Sequence, residues 1–327
     1  MNETRKKPAP IVLWAALGAL CIVMQCYVFG AWIASSDFRP TDPGPDPVPP
    51  EVLNTIHNFE RFSITLGLLA LVWFAWGIWR NRRIDVWRLL MIGWLSSYWL
   101  DPWLDFLRPM FTYNAYATNF GSWAEFIPGW QSPNGSRIAE PLLIDPSAYF
   151  WNFTLATFIP YWVMRLVRSR WPGLPWPLLI LTGFAGVWAS MGLIDINATF
   201  NQRFDAWPIA FQSWSFFGGQ PYQFPIYEFI LFPSAFVACA TLVLFSDENG
   251  LTVIERGSER FSGGVRTALR ILAFIAVCNL ANFLYTTGMG IHALFADPWP
   301  KDMPSWLSDE QCGPVTGRVC PATASSR

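Results

Sequence analysis

The chain has 327 residues, a net charge of −1, and 53% apolar content with only 14% charged residues. Soluble domains carry about 25% charged residues, and a near-neutral balance leaves no basic footprint for nucleic acid. A mean hydropathy of +0.28 and 20 tryptophans point instead to a chain solvated largely by lipid.

Seven apolar runs follow one another, roughly Ile11–Ser35, Ser63–Trp79, Val86–Leu104, Ala148–Leu166, Leu174–Ile196, Ile226–Phe245 and Leu269–Phe295. Each is about 17–27 residues long, enough to cross ~30 Å of hydrocarbon as a helix. The first run has a basic start, but it extends well past a signal-peptide core and lacks a small-x-small cut before Ser35, so it reads as a retained anchor. Many tryptophans lie near run ends (Trp14, Trp79, Trp87, Trp99, Trp103, Trp151, Trp176), where amphipathic rings prefer the membrane interface.

The basic residues alternate between the two sides of these runs. Fourteen of the 22 Lys and Arg lie before the first run or around the second–third, fourth–fifth and sixth–seventh junctions. The other eight (Arg39, Arg61, Arg108, Arg137, Arg203, Lys301, Arg318, Arg327) are spread over longer connections. The positive-inside rule then predicts an all-α, multi-pass cell-membrane protein of about seven transmembrane helices. Its N-terminus (1–10) is cytoplasmic, its membrane domain spans 11–296, and its C-terminal tail (297–327) lies outside.

The outer connections carry most of the remaining character. Residues 36–60 are rich in Pro and Asp, which suits neither helix nor central strand. Residues 105–147 hold Tyr113, Tyr116, Trp123 and Trp130 among glycines and prolines, too aromatic for a disordered linker. They read as an ordered lid on the bundle, as do residues 197–225 with Trp207, Phe211, Trp214, Phe216 and Phe217. The tail from 297 reads as loosely held. Four of the six cysteines (Cys21, Cys26, Cys239, Cys278) lie in apolar runs as packing residues. Cys312 and Cys320 stand alone in the tail, where an outside location permits a short-range disulfide.

The outward ends of the predicted helices are unusually polar. His57 and Glu60 lead into the second. Tyr98, Asp101 and Asp105 end the third, and Tyr149 and Asn152 begin the fourth. Asp195 and Asn197 close the fifth, and Tyr227 and Glu228 open the sixth. Asn279, Asn282, Tyr285 and His292 lie along the seventh. Ionisable groups at such depth are costly, and they usually face a cavity or one another. On a helix, Asp101 and Asp105 at i,i+4 would share a face. Paired carboxylates in a low-dielectric site push their pKa values apart, leaving one acid and one base. Capping the helix end or pairing with Arg108 is the structural alternative. Asp101, Asp105, Asp195 and Glu228 are therefore candidate catalytic acids. Tyr98, Glu60, His57, Asn152, Tyr227, Asn279, Asn282, Tyr285 and Trp123 are candidate substrate contacts. For Asn279 and Asn282, interhelical hydrogen bonding is the competing role.

Absences narrow the chemistry. Lysine occurs only at 6, 7 and 301, outside the apolar runs, which excludes a retinal Schiff base. Two isolated histidines do not build a multi-His metal centre. Neither a Cys-x-x-Cys, nor a phosphate-binding Gly-Lys-Ser/Thr loop, nor a Gly-x-Ser-x-Gly elbow occurs. What remains is carboxylate, Tyr and Asn chemistry in an apolar cavity, with neither cofactor nor metal expected.

One segment has a recognisable pattern: Asp101-Pro-Trp-Leu-Asp105, Phe111-Thr-Tyr-Asn114, Gly121-Ser-Trp-Ala-Glu-Phe-Ile-Pro-Gly-Trp130 and Glu140-Pro141. It resembles the AveC-type spirocyclase family, as does the spacing of the seven runs, so the resemblance covers most of Ile11–Phe295. Members of that family act in actinobacterial polyketide pathways, closing a dihydroxy-ketone into a spiroketal, and some also dehydrate it. The resemblance implies an integral-membrane cyclase or dehydratase acting on a hydrophobic polyketide-like or lipid-like substrate. The competing readings are a transporter or lipid-binding protein without catalysis, or a scaffold subunit. The sequence names no protein partner.

Overall fold

The structure is a computed structural model that describes residues 9–193, 195–300 and 302–312. It is mostly helical. Among the described residues, seven helices have eleven residues or more: α1 (Pro10–Ile33), α2 (Pro50–Asn81), α3 (Val86–Ser96), α4 (Phe153–Arg170), α5 (Trp176–Leu193), α6 (Glu228–Leu244) and α7 (Gly263–Ala293). Four stretches are long and apolar enough to cross a membrane: α1, α2, the helical path Trp176–Gln202, and α7. α3 and α6 are apolar but shorter.

Local chemistry sets the helix ends. α1 and α2 each start on a proline, whose fixed φ and missing N–H suit the first turn. Asp85 caps α3 by accepting the Trp87 and Arg88 N–H groups at 3.1 Å each. α3 is shorter than the apolar run that contains it. The α-helix stops at Ser96, and the chain tightens into a 3₁₀ turn over Tyr98–Asp105 around Pro102. Proline cannot donate the i→i−4 bond. In a 3₁₀ turn i and i+3 eclipse, so an i,i+4 pair does not share a face.

The helices expose apolar surface. Leu13, Leu20 and Val23 on α1 and Leu68, Leu69, Val72 and Trp76 on α2 all face outward, an arrangement that water would penalise and lipid would not. α7 runs through the centre. At Gly18 of α1 an added Cβ would stand 1.9 Å from the Leu272 carbonyl oxygen, and at Gly93 of α3 it would stand 2.7 Å from that of Phe274. Small residues allow this backbone approach where hydrophobic association is weak.

The connections form a layer over one end. Strand β1 (Thr112–Tyr113) pairs antiparallel with β2 (Asp205–Ala206), Tyr113 opposite Asp205. A second pair joins β3 (Ser215–Phe216) to β4 (Phe224–Pro225). Trp123 is fully buried, and its indole donates to the Trp99 carbonyl at 2.8 Å. The described part of the tail differs from the loose segment expected. Residues 303–312 pack into this layer: Ala115 N–H donates to Trp306 O at 2.9 Å, and the Thr112 hydroxyl donates to Leu307 O at 2.7 Å. The apolar bulk of Met303, Trp306 and Leu307 drives this, since all three are buried. Cys312 is disulfide-bonded. Cys320, its expected partner, lies outside the described residues.

Candidate active site

Beneath that layer is a cavity of about 140 Å³, and five carboxylates line it: Asp101, Asp145, Asp195, Asp205 and Glu228. They come from five separate segments. Asp101 sits on the 3₁₀ turn, and Asp145 lies just before α4. Asp195 lies at the end of the Trp176–Gln202 path, Asp205 is on β2, and Glu228 opens α6. Phe59, Phe111, Phe153, Phe204, Trp207 and Phe232 supply apolar walls. Two π-helical turns, Ala148–Asn152 and Ala198–Gln202, border the cavity and turn Tyr149, Asn152 and Thr199 into it. The extra residue of a π-turn re-aims side chains, and such turns recur at functional sites.

Three of the acids are tied to hydroxyls rather than to cations. Tyr113 and Tyr149 donate to the two oxygens of Asp101 at 2.6 Å each. Tyr285 donates to Glu228 at 2.7 Å, and Thr199 donates to Asp205. Among the described residues, no Lys or Arg lies within ion-pair distance of any of the five. Burial therefore acts with little opposition. It pushes the Asp205 carboxyl up to about 7, although the Thr199 hydrogen bond opposes it. It raises Asp145 well above the carboxylate range, and the charge of Asp101 raises it further. One Asp145 oxygen, one Glu228 oxygen and the Tyr227 hydroxyl are buried without a protein partner.

Behind Asp101 lies Glu140, fully buried and off the cavity surface. One oxygen from each of Asp101, Glu140 and Asp145 lies within 4.8 Å of the other two. Such spacing can hold a divalent cation, or it can hold shared protons.

The sequence-predicted residues divide cleanly. Asp101, Asp195, Glu228, Asn152 and Tyr285 meet at the cavity. Asp105 does not: it is buried, but one oxygen accepts the Met110 and Phe111 N–H groups at 2.7 and 2.8 Å. Arg108 instead donates to the Ala293 carbonyl. Asn279 and Asn282 hold the loose end of α3. The first accepts from the Trp99 indole at 2.7 Å and donates to the Ser96 hydroxyl, and the second donates to Ser97 O at 3.1 Å. Glu60 accepts the Thr118 N–H at 2.7 Å, with the exposed His57 beside it at 3.3 Å. Tyr98 packs against Trp123 of the lid, their rings 4.9 Å apart. Tyr227 stacks on His292 at 4.9 Å.

Sequence reasoning missed Asp145, Asp205 and Glu140, and it placed Tyr113 only in the lid. Asp145 was accessible to the logic applied to Glu228, since Ile144-Asp145-Pro146 stands directly before an outward helix end. Asp205 and Tyr113 become site residues only through the β1–β2 pairing.

No curated protein and no solved structure matches the chain. A family described as spirocyclase AveC-like matches residues 81–308, more than half of the chain and every one of the five cavity carboxylates. By that match the chain belongs to the spirocyclase AveC-like family.

Proposed function

We propose that this protein is a multi-pass membrane cyclase or dehydratase that closes a polyketide-like or lipid-like dihydroxy-ketone by carboxylate acid–base catalysis without a cofactor. In this reading seven segments cross the bilayer, the N-terminus is cytoplasmic, and the carboxylate cavity opens toward the outer side. The observation that carries it is the meeting of five carboxylates in one aromatic-walled cavity with no cation among the described residues to neutralise them. Membership of the spirocyclase AveC-like family supports a cyclase or dehydratase role.

The chemistry requires both protonation states. A substrate hydroxyl adds to the ketone while a carboxylic acid protonates the carbonyl oxygen and a carboxylate takes the hydroxyl proton. The resulting hemiketal hydroxyl is then protonated and leaves as water. The second hydroxyl traps the oxocarbenium ion and gives its proton to a carboxylate. Asp101, with two phenols donating to it, serves as the anion that accepts the proton and faces the cation. Asp145 and Asp205, raised by burial, serve as acids. Asp195 and Glu228 complete the opposite wall and relay protons, and the phenyl and indole faces add cation–π stabilisation.

The test is to incubate membranes containing the protein with a synthetic dihydroxy-ketone and follow loss of water by mass spectrometry. Cyclisation that disappears in Asp101→Asn membranes supports the proposal. Equal conversion by wild-type, Asp101→Asn and empty membranes would overturn it.

A further inference from the structure

The carboxyl behind Asp101 has no role in the chemistry above. Glu140 is 0% exposed, does not line the cavity, and cannot touch a substrate there. Its Oε1 receives only a long hydrogen bond from the Ser122 hydroxyl at 3.4 Å, and its Oε2 has no protein partner. It faces Asp101 and Asp145 within 4.8 Å. The other titratable groups around it are Tyr98, Tyr113 and Asp309, with Tyr149 on the far side of Asp101. No Arg or Lys among the described residues pairs with it.

Three carboxyls this close cannot all be ionised in a low-dielectric pocket without compensation. Either protons or a divalent cation must supply it. The hydrogen bonds distinguish the two. Both oxygens of Asp101 already accept short phenol O–H bonds, which stabilise an anion at that position. Glu140 has no comparable donor, so the proton is better placed on it than on Asp101.

We propose that Glu140 is a positioning residue that shares a proton with Asp101 and thereby sets the basicity of Asp101 in the cavity. The inference rests on the reading of Asp101 as the working anion, and it adds the group that tunes it. Burial together with the negative charge of Asp101 raises Glu140 well above the carboxylate range, in the same direction. Paired carboxyls that hold one proton between them behave in this way elsewhere. The pair carries a single negative charge, which spreads over both groups while they share one proton and is neutralised when Asp101 receives a second proton from a substrate hydroxyl.

The decisive measurement needs no substrate. Infrared difference spectra of the purified full-length protein are compared for wild type, Glu140→Gln and Asp101→Asn. Glu140→Gln should unfold at the wild-type temperature, because the amide still donates one N–H to Asp101, and it should lose one protonated-carboxyl band that shifts in D2O. Asp101→Asn should keep that band but move its frequency, since the proton remains and its partner changes. Should Glu140→Gln fail to fold, the band is read from wild-type protein carrying 13C-labelled glutamate. In the cyclisation assay, Glu140→Gln should move the pH profile, and Glu140→Ala should lose about tenfold or more in turnover.

The proposal is overturned if Glu140→Gln removes an ionised-carboxylate band instead, or if Asp101→Asn leaves the Glu140 band unmoved. A stoichiometric divalent cation found by elemental analysis in wild type and absent from Glu140→Gln would also overturn it. Failure to find any cyclisation would remove the assigned reaction and leave the infrared result standing.

Discussion

At one end of the bundle, Glu255 is fully buried, and Arg270 donates to it at 2.6 Å while the Thr252 hydroxyl and N–H occupy its other oxygen. Arg88, also buried at that end, pairs with Asp85, donates to the Trp73 and Phe74 carbonyls and lies 4.1 Å from the Trp73 ring centre. At the other end, five carboxylates share one cavity; three of them (Asp101, Asp205 and Glu228) accept from hydroxyls, and none pairs with a Lys or Arg among the described residues. Glu255 and the buried acids of the cavity have opposite company. A buried ion pair satisfied on every side holds structure and resists change. Buried acids without cations stay titratable and are the better candidates for chemistry.

The largest expected effect comes from the unpaired end. Asp101→Asn should cut cyclisation by at least about 100-fold while circular dichroism and membrane yield stay at wild-type values. Full activity in that variant would erase the distinction between the two ends. At the paired end the effect should be on stability alone. Arg270→Ala leaves Glu255 buried and uncompensated, and thermal unfolding in detergent should show a loss of about 3 kcal/mol. If the Ala variant melts with the wild type, the ion pair is not what holds that end.

Smaller effects should sharpen the picture of the cavity. Tyr113→Phe and Tyr149→Phe each remove one donor to Asp101, and each should slow turnover by about tenfold. Tyr285→Phe, which acts on Glu228 across the cavity, provides the comparison between the two walls. The subtlest effect concerns pH. The folded-state pKa of Asp205 is raised from 3.8 to about 7, so the folded form binds its proton more tightly than the unfolded chain does. Its contribution to stability is complete below the unfolded value and is lost as pH rises through about 7. Asp205→Asn should flatten the fall in melting temperature between acid and neutral pH. An unchanged slope would show that another group titrates there.

Much of the helical framework was legible in the chain, because apolar stretches longer than the bilayer is thick have few other solutions. The third apolar run shows where this reading stops. Its composition continues smoothly to Leu104, but the α-helix ends at Ser96 and a 3₁₀ turn follows around Pro102. That change separates Asp101 from Asp105, which helical spacing alone would have put together. Asp101 turns into the cavity, and Asp105 turns to the backbone at Met110 and Phe111. Asn279 and Asn282 illustrate the same limit. Their spacing fits a substrate-facing stripe, yet neither lines the cavity; Asn279 binds Trp99 and Ser96, and Asn282 donates to the Ser97 carbonyl.

Read alone, the residues determined that the chain is helical, apolar on its outer surface, and gathers its acids toward one end, since hydropathy and charge distribution are properties of local composition. Tertiary structure decided which acids face one another. Asp145, Asp205 and Glu140 lie far from Asp101 in the chain, and they join it only because the β1–β2 pairing, two π-turns and the packed tail bring those segments together. Whether a buried acid meets a guanidinium or a phenol depends on contacts across such distances, and no local pattern encodes them.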